Sequence, residues 1–228
     1  MKKSRRPAFV SPLFYAWSHF ALAVFLGLLM TPLYPFLAQD RVNVAQLADT
    51  TIQENYETLI SYNLNPFHQT LQFQQLSQSP SALKHFAEVK VVFQLLLWSG
   101  LVCLLFLVFH TLRAREPESL SFFPTGFRLS LILPALLFFP LLLFFDQAFV
   151  LFHQLLFRNK DWIFDPQRDP IICYLPEAFF RNIAFLMLLL WLVLLLLSRF
   201  LLYPRLLSCL KREDSTQAEG DKEGMANQ

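Results

Sequence analysis

Val89-Lys90-Val91-Val92-Phe93-Gln94-Leu95-Leu96-Leu97-Trp98-Ser99-Gly100-Leu101-Val102-Cys103-Leu104-Leu105-Phe106-Leu107-Val108-Phe109-His110-Thr111-Leu112 decides the fold. Lys90 is its only formal charge, and no proline interrupts it. About twenty apolar residues in a helix, rising 1.5 Å each, cross a ~30 Å hydrocarbon core. Inside a bilayer the backbone must satisfy its own hydrogen bonds, so the stretch is read as a transmembrane helix.

Working outward, three further runs share this character: 13–37, 129–152 and 183–202. The chain is 55% hydrophobic, with 26 phenylalanines and only 5 glycines. An ordinary soluble domain is nearer 45–50% apolar. Because the excess is concentrated in four runs, the expected fold class is an all-α polytopic membrane protein with four transmembrane helices. Pro32 and Pro35 in the first run, and Pro134 and Pro140 in the third, are expected to kink their helices. The basic start at Lys2, Lys3, Arg5 and Arg6 precedes a long apolar run without a clean small-x-small cleavage site. The first run is therefore read as a retained helix.

Orientation follows from the placement of Lys and Arg. One side would carry twelve: Lys2, Lys3, Arg5, Arg6, Arg113, Arg115, Arg128, Arg199, Arg205, Lys211, Arg212 and Lys222. The other carries seven: Arg41, Lys84, Lys90, Arg158, Lys160, Arg168 and Arg181. Both termini and the 113–128 loop are expected to be cytoplasmic, and segments 38–88 and 153–182 to face outward. The 203–228 tail is expected to be a disordered cytoplasmic segment, charged and almost free of large apolar residues beyond Lys211. The net charge of +2 lacks the basic stripe that a nucleic-acid face needs.

The two outer segments are too long to be plain helix connections. They are expected to fold into a small extracytoplasmic cap. Ile52, Tyr56, Leu59 and Ile60 recur at helical spacing, which predicts a helix over Asp49 to Leu64. Leu71 and Phe73 alternate with glutamines between Thr70 and Leu76, a pattern compatible with a short strand. Ser79-Pro80 reads as an N-cap followed by proline at the first helical position. The helix it starts would run from about Ser81 to Arg113, standing its first two turns at the outer membrane boundary.

Five histidines are present. His19 and His110 fall inside apolar runs near the cytoplasmic side, where a ring bonding across helices is the ordinary reading. His68 follows Asn65-Pro66-Phe67 and looks like a turn residue. His85 and His153 stand apart from these. Each marks a junction between an outer segment and a membrane run, so topology alone puts both at one depth on one side. Imidazole titrates near neutrality and serves as general base or acid. Interfacial residues without chemistry remain the alternative for this pair. Glu88 lies three residues after His85, and Asp146 seven before His153, each on the same helical face as its histidine. No spacing supplies a third convergent ligand for a metal, and no cofactor is expected. Asp165-Pro166 and Asp169-Pro170 read as turns. Asp161 and Asp165 are candidates to pair with Arg158 or Arg168. Trp162 reads first as an interfacial anchor. Of Cys103, Cys173 and Cys209, only Cys173 lies in a polar loop. No Cys-x-x-Cys is present, and a disulfide framework is not expected.

Phe152-His153 with Phe157, Asn159, Trp162, Asp165-Pro166, Asp169, Pro176-Glu177 and Phe179-Phe180 resembles the signature of a bacterial integral-membrane family. That family includes the lipoprotein intramolecular transacylase (Lit). Upstream, Asn55-Tyr56, Leu59, Tyr62, Ser79, His85 and Val89-Lys90 resemble the same family's first outer segment. The resemblance spans about residues 13–205. It implies four transmembrane helices with an extracytoplasmic cap, acting on diacylated bacterial lipoproteins among membrane lipids. The acyl chain would move from the glycerol sn-2 oxygen to the lipoprotein's own α-amino group, leaving a lyso-form. The catalytic pair it implies falls on His85 and His153. The expected substrate-binding residues are Tyr56, Tyr62, Phe149 and Trp162, and the supporting carboxylates are Glu88, Asp146 and Asp165. The family pattern places an aspartate where Glu88 stands, one methylene shorter. The protein is expected to be a monomer in a bacterial cell membrane. Two rivals differ in class. One is a non-enzymatic assembly factor or sensor presenting the cap. The other is a hydrolase or intermolecular acyltransferase using Cys173 as nucleophile.

Overall fold

The structure is a computed structural model describing residues 10–212 and 215, with side chains throughout that range except at 133–143. The basic start, and the tail at 213–214 and 216–228, lie outside the described residues. Among the described residues the chain is all helical, with no strand.

Eight α-helices follow in order: α1 (Val10–Leu29), α2 (Tyr34–Leu37), α3 (Asp49–Leu64), α4 (Pro80–Leu112), α5 (Phe122–Leu143), α6 (Phe145–Leu156), α7 (Ile171–Tyr174) and α8 (Glu177–Leu197). Among the described residues, three helices are long and apolar enough to cross a membrane: Val10–Leu29, Pro80–Leu112 and Glu177–Arg212. Their exposed faces are apolar too. Along α4, Val91, Leu95, Trp98, Val102, Leu105 and Phe109 all face outward at helical spacing. Such a stripe is costly against water and suited to lipid.

The first run breaks where its prolines predict. α1 ends at Leu29, a 3₁₀ turn occupies Thr31–Leu33, and α2 follows. Pro32 and Pro35 sit in the opening positions of these two short elements, where a missing N–H costs nothing. The third run departs from expectation. It is two helices, not one, because Phe144 takes φ −136° and ψ 52° between α5 and α6. Pro134 and Pro140 lie within the helical backbone of α5, and the break comes at Phe144. The last run also differs. A π turn at Ser198–Leu202 carries the helix onward to Arg212. Residues 203–212 are therefore helical, with Leu206, Leu207 and Leu210 continuing the apolar pattern. The wider turn lies directly upstream of Pro204, which has no N–H to give the ordinary ladder.

The described residues divide into two compact units, one holding those up to 22, from 99 to 135 and from 191 onward, the other those of 23–98 and 136–190. In the first, the Tyr15 hydroxyl donates to Ser198 Oγ at 3.0 Å. Gly100 lies so close to Ala21 that a Cβ there would sit 2.2 Å from the alanine Cβ. Small residues at such points let membrane helices approach.

The second unit holds segments 38–88 and 153–182. α3 has the expected bounds and buries Ile52, Asn55, Tyr56, Leu59, Ile60, Tyr62 and Asn63. It stops at Asn65 because a residue before proline is pushed to extended geometry, here φ −90° and ψ 110°. The expected strand at Thr70 to Leu76 is an irregular extended segment. Asn55 takes the place of a partner strand, accepting from the Gln74 N–H at 2.6 Å and donating to the Gln74 carbonyl at 3.0 Å. The Gln78 side chain accepts from the Phe73 N–H. Gln75, with φ 58°, turns the chain out of strand geometry. Ser79 is the N-cap of α4: its Oγ accepts from the Ala82 N–H at 3.1 Å. Asp169 is buried and locks this cap, accepting from the Ser79 N–H at 2.6 Å and from its hydroxyl at 2.7 Å. The start of α4 is thereby tied to the loop ahead of α7.

Candidate active site

His85 lies in the second turn of α4, and His153 in the last turn of α6. Both belong to the second unit. The rings face each other with centroids 5.8 Å apart and planes at 36°. Both are buried, at 6% and 9% exposure.

The two imidazoles are held differently. His153 Nδ1 lies 2.7 Å from the Phe149 carbonyl. A carbonyl only accepts, so Nδ1 carries the hydrogen, and Nε2 of the neutral ring offers a lone pair. Burial lowers the His153 pKa below the ordinary imidazole value, partly offset by this hydrogen bond. The His85 Nδ1 is buried and has no hydrogen-bond partner among the described residues. Protonating one ring makes a second protonation harder, because like charges at this distance repel.

Aromatic side chains enclose the pair. Phe157 stands against both rings, 4.7 Å from His85 and 5.7 Å from His153. Phe164 packs edge-on to His85 at 5.5 Å. Trp162 lies 5.0 Å from His153, and Phe149 lies 4.2 Å from it on the opposite sequence flank. The loop after α6 supplies three of these four. It is fixed to α4 by polar contacts. Asn159 Nδ2 donates to both Glu88 oxygens, at 2.9 and 3.0 Å. Lys84 pairs with Asp161 at 2.6 Å. The Trp162 indole N–H donates to the Asn159 carbonyl at 3.1 Å.

Known proteins share this chain's pattern. The family described as lipoprotein intramolecular transacylase Lit matches residues 9–180. The chain belongs to the Lit family. A structure of the membrane-integral lipoprotein intramolecular transacylase Lit from Bacillus cereus is similar at 31% identity and a TM-score of 0.69. That likeness covers 91% of this chain and 95% of that one. The same Bacillus cereus protein with one histidine replaced by alanine is similar at 30% identity and a TM-score of 0.70, covering 89% of this chain and 93% of that one. A search among curated proteins found no match. Membership of Lit makes this chain an acyltransferase of a membrane-integral class.

Against the Lit expectation, the remaining site residues divide. Phe149 and Trp162 lie against His153. Tyr56 does not reach it directly: it stacks on Tyr34 at 4.4 Å and meets Phe179 edge-on at 5.5 Å. Its link to the site is an aromatic chain through Phe179, Phe180 and Phe149. Tyr62 is elsewhere, with Lys90 Nζ 4.3 Å over its ring. Glu88 holds Asn159 through both carboxylate oxygens, rather than His85. Asp146 neighbours Glu177. Asp165 shapes a turn, accepting from the Gln167 N–H at 3.0 Å. Asp161 pairs with Lys84, not with a neighbouring arginine. Cys173 is half-buried, burial raises its pKa, and its carbonyl accepts from Val42. Phe164 carried no signal in the sequence beyond being an aromatic residue in a loop rich in turn formers.

Proposed function

We propose that this Lit-family protein moves the sn-2 acyl chain of a diacylglyceryl lipoprotein to the α-amino group of the same molecule's N-terminal cysteine. The observation that carries the reading is the buried pair His85 and His153, face to face on two different helices inside an aromatic enclosure.

The chemistry follows from the ring geometry. The substrate amine is the nucleophile, so no serine or cysteine nucleophile is needed. The amine attacks the ester carbonyl, and the new C–N bond forms as its proton passes to His153 Nε2. His85 donates a hydrogen bond to the developing oxyanion. Collapse breaks the C–O bond to glycerol, and the sn-2 oxygen takes the proton back from His153. The products are an amide and a free hydroxyl, with no water consumed. A lowered His153 pKa keeps the base neutral at working pH. The unbound α-amine has a pKa of about 7.7–8.0, so a useful fraction is neutral as well. Holding amine and ester together supplies roughly 7–11 kcal/mol of the barrier when orientation is good. The phenylalanines and Trp162 would exclude water that otherwise hydrolyses the ester.

In this reading the chain crosses the bilayer four times, with residues 129–152 of α5 and α6 forming the third crossing. The outer segments form a cap, the site lies at the outer face, and both termini are cytoplasmic. Expression in a host whose lipoproteins are diacylated, followed by fragmentation of their N-terminal peptides in a mass spectrometer, tests the function. The expected product carries one acyl chain on nitrogen and one on glycerol. Unmodified lipoproteins despite good membrane expression would overturn it.

A further inference from the structure

Two residues of α4 that flank His85 grip the loop covering it. Lys84 and Glu88 are four residues apart and so share one face of the helix. Glu88 accepts twice from Asn159, and Lys84 binds Asp161. Just before and just after these anchors, the loop carries Phe157, Trp162 and Phe164. Asn159 is the centre of the arrangement. Its side-chain oxygen accepts from the Asp161 N–H at 3.0 Å, and its carbonyl accepts from Trp162 Nε1. A charge-assisted hydrogen bond shared between both oxygens of a half-buried carboxylate is the stronger anchor. The Lys84 pair is solvent-exposed on the lysine side and holds more weakly.

We propose that Glu88, through Asn159, is a positioning residue that holds the aromatic cover, Trp162 foremost, over the His85–His153 pair, with Lys84 as a secondary clamp. The inference rests on the transacylase reading for its kinetic consequence, though not for its structural one. Glu88 touches neither ring; it acts by fixing the loop whose aromatic rings do. Without it, Asn159 is freed, the indole loses its anchored acceptor, and water reaches the imidazoles.

The test uses the full chain in detergent. Turnover of a synthetic diacylglyceryl lipopeptide is measured beside diethylpyrocarbonate labelling of each histidine, read by peptide mass spectrometry. His68 is exposed and serves as internal reference. In Glu88→Ala, kcat is expected to fall tenfold or more, and labelling of His85 and His153 to rise severalfold relative to His68. Glu88→Gln keeps one acceptor for Asn159 and should fall between the two. Asn159→Asp sets two carboxylates together and should be at least as damaging as Glu88→Ala. Lys84→Ala should change kcat by threefold or less. Unchanged histidine labelling in Glu88→Ala would overturn the proposal, as would a loss confined to KM or a fully active Asn159→Asp. If the unmodified protein does not turn over the lipopeptide, the transacylase reading falls, while the labelling comparison still decides the clamp.

Discussion

His19 and His153 make the same hydrogen bond in different settings. His19 Nδ1 bonds the Tyr15 carbonyl at 2.8 Å, and His153 Nδ1 bonds the Phe149 carbonyl at 2.7 Å. Each uses the carbonyl one helical turn back, so each ring has its tautomer fixed. Each also has an aromatic ring on one side: Tyr15 at 4.1 Å from His19, and Phe149 at 4.2 Å from His153. The difference is what lies opposite. His153 meets a second imidazole and a cover of Phe157 and Trp162 from a polar loop. His19 sits on α1 in the other unit, beside its own helical neighbour. A buried histidine with a fixed tautomer is therefore a part that two sites can share. In the proposed mechanism, the facing ring and the enclosing loop are what make one of them chemical.

The largest effect should separate these two histidines. His85→Ala and His153→Ala are each expected to lower lipopeptide turnover by roughly 10²–10⁴, the span of general acid–base contributions. His19→Ala should stay within a fewfold of the unmodified protein per folded molecule. Equal losses at His19 and His153 would erase the distinction. Trp162→Ala should cost roughly tenfold by opening the site to water. Free fatty acid released by hydrolysis should rise in the same assay.

A packing change in the first unit should do the reverse. Gly100→Ala forces its Cβ against that of Ala21, and overpacking of this kind costs about 1–3 kcal/mol. Thermal unfolding in detergent should report the loss, while kcat per folded molecule holds. An unchanged Tm would mean that the helices separate there without cost.

The titration of His153 gives a smaller and cleaner test. Its folded-state pKa lies below the ordinary 6.5 because burial penalises the charged ring. Above 6.5 the ring is neutral in folded and unfolded chains alike and contributes no pH dependence. Below 6.5 the unfolded chain binds the proton more readily, so the folded state loses stability as pH falls. NMR of a ring-labelled sample should show His153 protonating below pH 6.5; a midpoint at or above that value would contradict its burial. The smallest expected effect is none: Cys173→Ala should leave turnover unchanged, since a half-buried thiol with a raised pKa is a poor nucleophile.

The runs near α1, α4 and α8 were legible because lipid demands long apolar helices. The α3 bounds were legible as well, since Ile52, Tyr56, Leu59 and Ile60 share one face and Pro66 ends the helix. The pairing of His85 with His153 followed from topology and the family resemblance, without any contact being visible. Three features were hidden for physical reasons. The break at Phe144 falls between two apolar residues, where no composition signal marks a change of dihedral angle. The strand-like alternation at Leu71 and Phe73 buries those side chains, yet the backbone is satisfied by the Asn55 and Gln78 side chains. The pairings of Glu88 with Asn159, and of Ser79 with Asp169, join residues far apart in sequence. A carboxylate at helical spacing from a histidine looks like its partner until a loop amide is found to occupy it.

The most direct measurement follows one acyl chain. A lipopeptide carrying an isotopically labelled acyl group only at sn-2 is incubated with the purified protein, then fragmented in a mass spectrometer. The total mass should be unchanged, with the label moved to the cysteine amide nitrogen, and no movement is expected with His153→Ala. Label that stays on glycerol, or leaves as free fatty acid, would contradict the proposed transfer.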